Sequence, residues 1–271
     1  MLTIFLTAGY PNTERTIKAL KILHEENVDL VELGVPFSDP LADGPVIQNS
    51  SFKALESGIN IDKIFEIISR TKEELNTNGS LGSEVKGVNN LILFTYYNPV
   101  YNYGLDKLIE KCLNTGVKGL LIPDLPVDEA EELRAKLNEH GLTLTLLAAI
   151  TSTDERLQKI AELSEPFIYL VSRIGITGSN KDINNLQENN DEAKQLALLK
   201  EKIAKLKNYA PDKAIGLGFG IDSPEKVKAT FELDVDMAII GTKAIRVLEA
   251  DSSENLNEFR DFIKSLRPIS V

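Results

Sequence analysis

Two carboxylates stand out in the segment DLVELGVPFSDPLADGP at 29–45, where Glu32 lies inside a short apolar run and Asp43 follows in a Gly/Pro-rich loop. A strand over Asp29–Gly34 puts Glu32 on the same face as Leu30 and Gly34, where an ionised side chain is costly unless it is hydrogen-bonded or used in a reaction. A structural salt bridge is the competing reading. Catalysis gains weight because the strand runs straight into a loop carrying Asp39 and Asp43, and α/β enzymes gather their chemistry at the carboxyl ends of strands.

The elements that position this pair follow from an alternation of apolar runs with amphipathic stretches along most of the chain. Strands are predicted at Thr3–Ala8, Asp29–Gly34, Asn90–Thr95, Gly119–Ile122, Thr143–Leu147, Phe167–Leu170, Ala214–Gly218 and Met237–Ile240. Helical periodicity covers Asn12–Glu26, Ile61–Leu75, Leu105–Thr115, Val127–His140, Thr153–Leu163, Glu192–Lys207, Ser223–Phe231 and Leu256–Leu266, with an extra short helix from Ser50. Asn12, Thr153 and Ser223 are N-cap candidates, the last followed by Pro224 at the first helical position. Eight strand–helix units predict an α/β fold, a (β/α)8 TIM barrel in a single domain over 1–271. A doubly wound open sheet uses fewer strands and leaves a clearer domain break.

The 271 residues suffice for a barrel-sized core, and no Pro/Gly/Ser-rich linker divides them. A formal charge of −11 argues against broad nucleic-acid affinity or attachment to an anionic membrane. Any phosphate is therefore expected on backbone N–H groups more than on a basic patch. Cys112 falls between helical apolar positions and reads as buried, while His24 and His140 lack metal-ligand spacing. With neither a basic n-region nor a transmembrane-length apolar run, a soluble cytoplasmic protein is expected.

Three late loops suggest an anion site. SRIGITGS (172–179) follows the sixth strand, GFGI (218–221) the seventh, and GTKAI (241–245) the eighth while opening a short helix. Gly178, Ser179, Gly220, Gly241 and Thr242 offer backbone donors and hydroxyls, and a helix start at Gly241-Thr242 presents unpaired N–H groups to an anion. The placement corresponds to the phosphate site common in such barrels. Neither the dinucleotide fingerprint nor a Walker lysine pattern occurs, so neither nicotinamide nor ATP is suggested.

VELGVPFSDPLADGPVIQ at 31–48 resembles, nearly residue for residue, the signature of the tryptophan synthase alpha chain family. FLTAGYP at 5–11, IPDLP at 122–126, GITG at 175–178 and GFGI at 218–221 resemble its other blocks in the same order. The resemblance implies a (β/α)8 barrel that cleaves indole-3-glycerol phosphate to indole and D-glyceraldehyde 3-phosphate by a retro-aldol reaction. It also implies a beta-chain partner, in an alpha2-beta2 heterotetramer, whose pyridoxal phosphate joins indole to L-serine, with no cofactor or metal in this chain.

Residue by residue, Glu32 and Asp43 match the family's catalytic glutamate and aspartate. Glu32 is assigned the proton transfers, useful as an acid only if its pKa is raised, and Asp43 the stabilisation of the indole N–H. Phe5, Phe94, Leu121 and Tyr169 are expected around an indole-shaped cavity, with barrel core as the alternative for Phe94 and Leu121. The Tyr169 hydroxyl is expected within reach of Glu32 or a substrate oxygen, and Tyr96 to orient the site. Gly178, Gly220, Gly241 and Thr242 match the phosphate contacts, with threonine where the family often has serine. Thr177 matches a sixth-loop latch expected to bond Asp43 on closure. Asp124 is read as loop-ordering or partner-facing and Asp39 as structural.

Two features depart from the family's pattern. The first strand begins almost at Met1, so the covering helix before it is expected to be short or absent. The sixth loop is expected to be long, about 172–192, its stretch NKDINNLQENNDE being polar and solvated, and NTNGSLGSEVKGVN at 76–89 reads as similarly loose. Three alternatives stay open: a stand-alone lyase releasing free indole, another phosphosugar barrel such as an isomerase or epimerase, and a non-catalytic barrel that only activates a beta chain.

Overall fold

The computed structural model describes residues 1–77, 79, 86–172, 186–218 and 220–267, with the backbone alone for 186–192. Eight short strands carry the architecture: β1 (Leu2–Thr7), β2 (Leu30–Gly34), β3 (Leu91–Phe94), β4 (Gly119–Leu121), β5 (Thr143–Ala149), β6 (Phe167–Val171), β7 (Ala214–Gly218) and β8 (Met237–Ile240). Each pairs in parallel with the next and β1 pairs with β8, closing the barrel.

Around them lie α1 (Thr13–Glu25), α2 (Pro45–Glu56), α3 (Ile61–Thr77), α4 (Tyr97–Tyr103), α5 (Leu105–Thr115), α6 (Ala130–Glu139), α7 (Asp154–Leu163), α8 (Leu186–Tyr209), α9 (Pro224–Phe231), α10 (Thr242–Ala250) and α11 (Asn257–Ser265). Local sequence explains several of their starts. Asn12, Thr153 and Ser223 accept the N–H of Arg15, Arg156 and Lys226, each satisfying a donor that the first turn cannot.

The period-two alternation of the strands divides the apolar residues between two environments. Outward residues such as Ile4, Leu33, Leu93, Leu120, Leu144, Ile168 and Ile240 are buried against the helices. Inward residues Leu30, Ile92, Leu121, Phe167, Tyr169, Met237 and Ile239 pack on one another inside the barrel. Glu32 shares the inward set's parity, and its strand is buried along its whole length.

Four expectations need correction. Helix α8 begins at Leu186 rather than Glu192, so the sixth loop does not run to 192, and the polar stretch contributes to a 24-residue helix instead. That helix is anchored further along, where the buried Lys202 donates to Ser152 O at 2.8 Å and Lys205 to Asp154 at 2.8 Å. The segment at 76–89 is not loose at its ends: Asn76 and Thr77 complete α3, and Gly87–Asn89 forms a 3-10 turn against α1. There a Cβ on Gly87 would meet His24 Cα at 2.4 Å, and Gly87 N–H reaches Val28 O at 2.7 Å. Helix α4 was not expected, and α2 starts at Pro45, ahead of Ser50.

Candidate active site

At the carboxyl ends of the strands the barrel opens into a cavity of about 580 Å³. Glu32 and Asp43 both line it, together with Phe5, Phe94, Leu147, Tyr169, Val171 and Ile239 on its apolar side and Gly220, Gly241, Thr242, Lys243 and Arg246 on its polar side.

Glu32 projects from β2 between neighbours set by strand register, Phe5 on β1 and Ile92 on β3. Only 1% of its surface is exposed. Neither carboxyl oxygen has a hydrogen-bond partner among the described residues, so nothing offsets the loss of water around a charge. Burial therefore pushes its pKa up to about 8, which keeps the group protonated and able to donate near neutrality.

Asp43 sits in a different setting. Its loop turns tightly, with Leu41 N–H on Asp39 O at 2.9 Å and Asp43 N–H on Pro40 O at 3.1 Å, and Gln48 Nε2 of α2 clasps Asp43 O at 2.9 Å. Tyr96 accepts the Ala42 N–H at 2.9 Å and donates its hydroxyl to the Asp43 carboxylate at 3.1 Å. Burial raises the Asp43 pKa to about 6, with the Tyr96 bond pulling against it, so the carboxylate is mostly ionised at neutral pH. Two carboxyls in one cavity are thus pushed apart into a proton donor and an anion, the condition for separate acid and acceptor roles.

Packing shapes the apolar side. A Cβ on Gly34 would meet the Phe5 ring at 2.5 Å, so the missing side chain lets that ring lie across β2. Phe5 and Phe94 meet edge to face at 5.3 Å between centroids. Tyr169 is seated the same way: a Cβ on Gly218 would come within 2.2 Å of its hydroxyl. Burial first, then the charges of Glu32 and Asp43, raise the Tyr169 pKa and keep the phenol neutral.

The opposite wall is built from the loop after β7 and the start of α10. Gly220 holds φ +75° in the loop after β7, a conformation that favours glycine. Helix α10 opens at Gly241 with no side-chain cap, so its first-turn N–H groups face the cavity mouth without a local acceptor from the capping residue. A Cβ on Gly241 would approach Phe5 Cβ at 3.4 Å, which keeps this helix start tight against β1.

Of the sequence-predicted site residues, Glu32, Asp43, Phe5, Phe94, Tyr169, Gly220, Gly241 and Thr242 converge on this cavity. Leu121 does not: it is fully buried in the barrel interior and contributes no surface to the cavity wall, because its register on β4 turns it into the core layer with Ile92 and Phe167. Tyr96 acts behind Asp43 rather than on the wall. Of the two partners expected for the Tyr169 hydroxyl, Glu32 is not hydrogen-bonded to it, which leaves a substrate oxygen. Asp124 orders its loop by accepting Tyr97 N–H at 2.9 Å, and Asp39 takes the Ser38 hydroxyl at 2.5 Å. Thr177, Gly178 and Ser179 lie outside the described residues. Sequence reasoning missed Leu147, Val171, Ile239, Lys243 and Arg246; inward parity on β5, β6 and β8 marks the first three.

A parallel eight-stranded barrel that opens at the carboxyl ends of its strands into a cavity holding two carboxyls, an apolar wall and a glycine-rich polar wall has the layout of a barrel enzyme. Residues 1–269 match the sequence profile of the family described as tryptophan synthase alpha chain. The alpha chain of Petrotoga mobilis is 39% identical over 269 residues, covering 98% of this chain and 94% of that protein. That of Thermosynechococcus vestitus is 40% identical over 263 residues, covering 97% and 89%. Among solved structures, the tryptophan synthase complex from Pyrococcus furiosus superposes with a TM-score of 0.79 at 28% identity, covering 98% of this chain and 96% of that one. Tryptophan synthase from M. tuberculosis in its aminoacrylate-bound form gives 0.77 at 28% identity, covering 98% and 91%. The chain belongs to the tryptophan synthase alpha chain family, and is a carbon–carbon lyase for indole-3-glycerol phosphate.

Proposed function

We propose that Glu32 and Asp43 carry out the retro-aldol cleavage of indole-3-glycerol phosphate, with the apolar side of the cavity holding the indole and the Gly220, Gly241 and Thr242 side holding the phosphate. The observation that supports this most directly is the buried Glu32 carboxyl, without a hydrogen-bond partner among the described residues, on the wall of the same cavity that Asp43 lines.

Glu32 delivers its proton to indole C3, which makes that carbon tetrahedral and places positive charge on the ring nitrogen. Asp43 accepts the indole N–H and stabilises that charge. The Glu32 carboxylate then takes the proton of the adjacent glycerol hydroxyl. The O–H electrons form the aldehyde, the C3–side-chain bond breaks, and its pair restores the indole ring. Glu32 ends protonated, so the cycle closes without an outside acid.

The products are indole and D-glyceraldehyde 3-phosphate, and indole passes to a beta chain in an alpha2-beta2 assembly. This chain needs no cofactor for its half of the work, and the pyridoxal phosphate that joins indole to L-serine belongs to the beta chain. Leu41 in the loop after β2 is 90% exposed, and Phe52 on α2 (59%) and Tyr101 on α4 (73%) belong to the segments that follow the carboxyl ends of β2 and β3, which suits a partner on that side. No helix among the described residues is long and apolar enough to cross a membrane, and we place the enzyme in the cytoplasm.

Steady-state cleavage of indole-3-glycerol phosphate, followed by released glyceraldehyde 3-phosphate, tests the reading with the chain alone and titrated with a beta chain. Weak activity rising to a plateau at a stoichiometric ratio is the expected result. Fast turnover indifferent to the partner identifies a stand-alone lyase instead, and no turnover in either case overturns the catalytic assignment.

A further inference from the structure

The polar wall of the cavity holds two cations that the glycine loops alone would not require. Lys243 and Arg246 lie one turn apart on α10, a spacing that puts them on one helix face, and both line the cavity beside Gly241 and Thr242. Lys243 is half-buried and Arg246 more open. Among the described residues neither pairs with a carboxylate.

The carboxylates near enough to compete are already engaged or set aside. Asp222, the other acid on this side of the cavity, is held by Lys226 at 2.9 Å, which also donates to Gly220 O at 3.1 Å and ties the seventh loop down. Glu249, further along α10, takes Lys53 at 3.1 Å and the Tyr10 hydroxyl. Among the described residues two positive charges therefore remain uncompensated at the glycine-lined end of the cavity, in a chain whose formal charge is −11. Overall charge repels a dianion, and backbone N–H groups supply only partial charges against that repulsion. Two full charges next to those donors reverse the local sign.

Resting on the proposed function above, we propose that Lys243 and Arg246 are specificity-determining residues that bind the second negative charge of the substrate's phosphate monoester. They make this site select a dianion over a singly charged or neutral group at the same position, while the chemistry at Glu32 and Asp43 proceeds independently of them.

Calorimetric titration with inorganic phosphate and steady-state kinetics with indole-3-glycerol phosphate test this on the full chain. For K243M/R246M the expected results are phosphate binding weakened about 10-fold, KM raised by a similar factor and kcat within about twofold of wild type, the size expected for two partly solvated charge contacts. K243R/R246K keeps the charge and recovers most of the loss. Salt supplies a reading on the wild-type chain even if the double variant does not fold. With the cations in contact, phosphate affinity falls as KCl rises; without them, screening of the −11 field makes it rise. Unchanged phosphate affinity in K243M/R246M, or affinity that rises with salt, overturns the proposal. Because phosphate binding is read without turnover, loss of this inference leaves the lyase reading standing, and absence of lyase activity leaves this inference standing.

Discussion

Tyr96 holds Asp43 by a single hydroxyl, donating to its carboxylate at 3.1 Å while receiving the Ala42 N–H at 2.9 Å from the same loop. The ring is itself fixed against Phe37, with centroids 5.2 Å apart. Because that bond favours the charged form of Asp43, removing it raises the carboxyl further above its present value of about 6. Y96F is therefore expected to move the acidic limb of the kcat/KM–pH profile upward and to lower kcat/KM about 10-fold at pH 7. An acidic limb that stays in place would show that Tyr96 serves only packing.

The two carboxyls also define the shape of the pH profile. Activity needs Glu32 protonated and Asp43 ionised, so kcat/KM is expected to peak between about 6 and about 8 and to fall on both sides. E32Q is expected to lose about 10²–10⁴ in kcat, the usual contribution of a required proton-transfer group, while binding substrate as wild type does. In D43N the residual activity is expected to keep the alkaline limb and lose the acidic one. A double limb surviving in D43N would reassign the acidic pKa to another group.

The barrel was legible because each strand is a short apolar run between periodic helices, and the eight cavity residues that were foreseen all lie in a strand or in the stretch just after one. What escaped detection depends on distant residues. Helix α4 contains Tyr97, Asn98 and Pro99, poor helix formers, and its first N–H is capped by Asp124 from the fourth loop, which no local pattern reveals. Leu121 and Tyr169 both look like inward strand residues, and only barrel closure decides that Tyr169 reaches the cavity while Leu121 stays in the core. Lys243 and Arg246 read as the solvated face of an amphipathic helix until the eighth strand delivers that face to the mouth of the cavity.

Glu32 makes a stability prediction opposite in sign to that of a salt-bridged carboxylate. Its folded pKa of about 8 lies above the reference of 4.5, so between those values the folded state binds the extra proton. The stabilisation is complete below pH 4.5 and is lost as pH rises through about 8, a linkage cost on the order of 3 kcal/mol at pH 7 for a shift of this size. E32Q, which carries no charge to bury, is expected to melt above wild type at pH 8 and to converge with it as pH falls toward 5. A difference in Tm that does not vary with pH would mean Glu32 is ionised in the folded protein.

Gly218 and Tyr169 couple the seventh strand to the cavity by steric fit. They lie on neighbouring strands, and a methyl at 218 would sit 2.2 Å from the Tyr169 hydroxyl and 2.6 Å from its ring, far inside contact distance. The phenol has room to move only on its cavity side, since it is otherwise packed on Phe167 at 6.4 Å between centroids and its strand is buried. G218A is therefore expected to push the ring into the space for indole, raising KM at least 10-fold while leaving the barrel folded. Y169F relieves the hydroxyl contact but not the ring contact, so G218A/Y169F is expected to recover part of that loss, and the double-mutant cycle should show coupling of about 1 kcal/mol. Strict additivity of the two changes would separate Gly218 from Tyr169 and place its effect in the loop that follows β7.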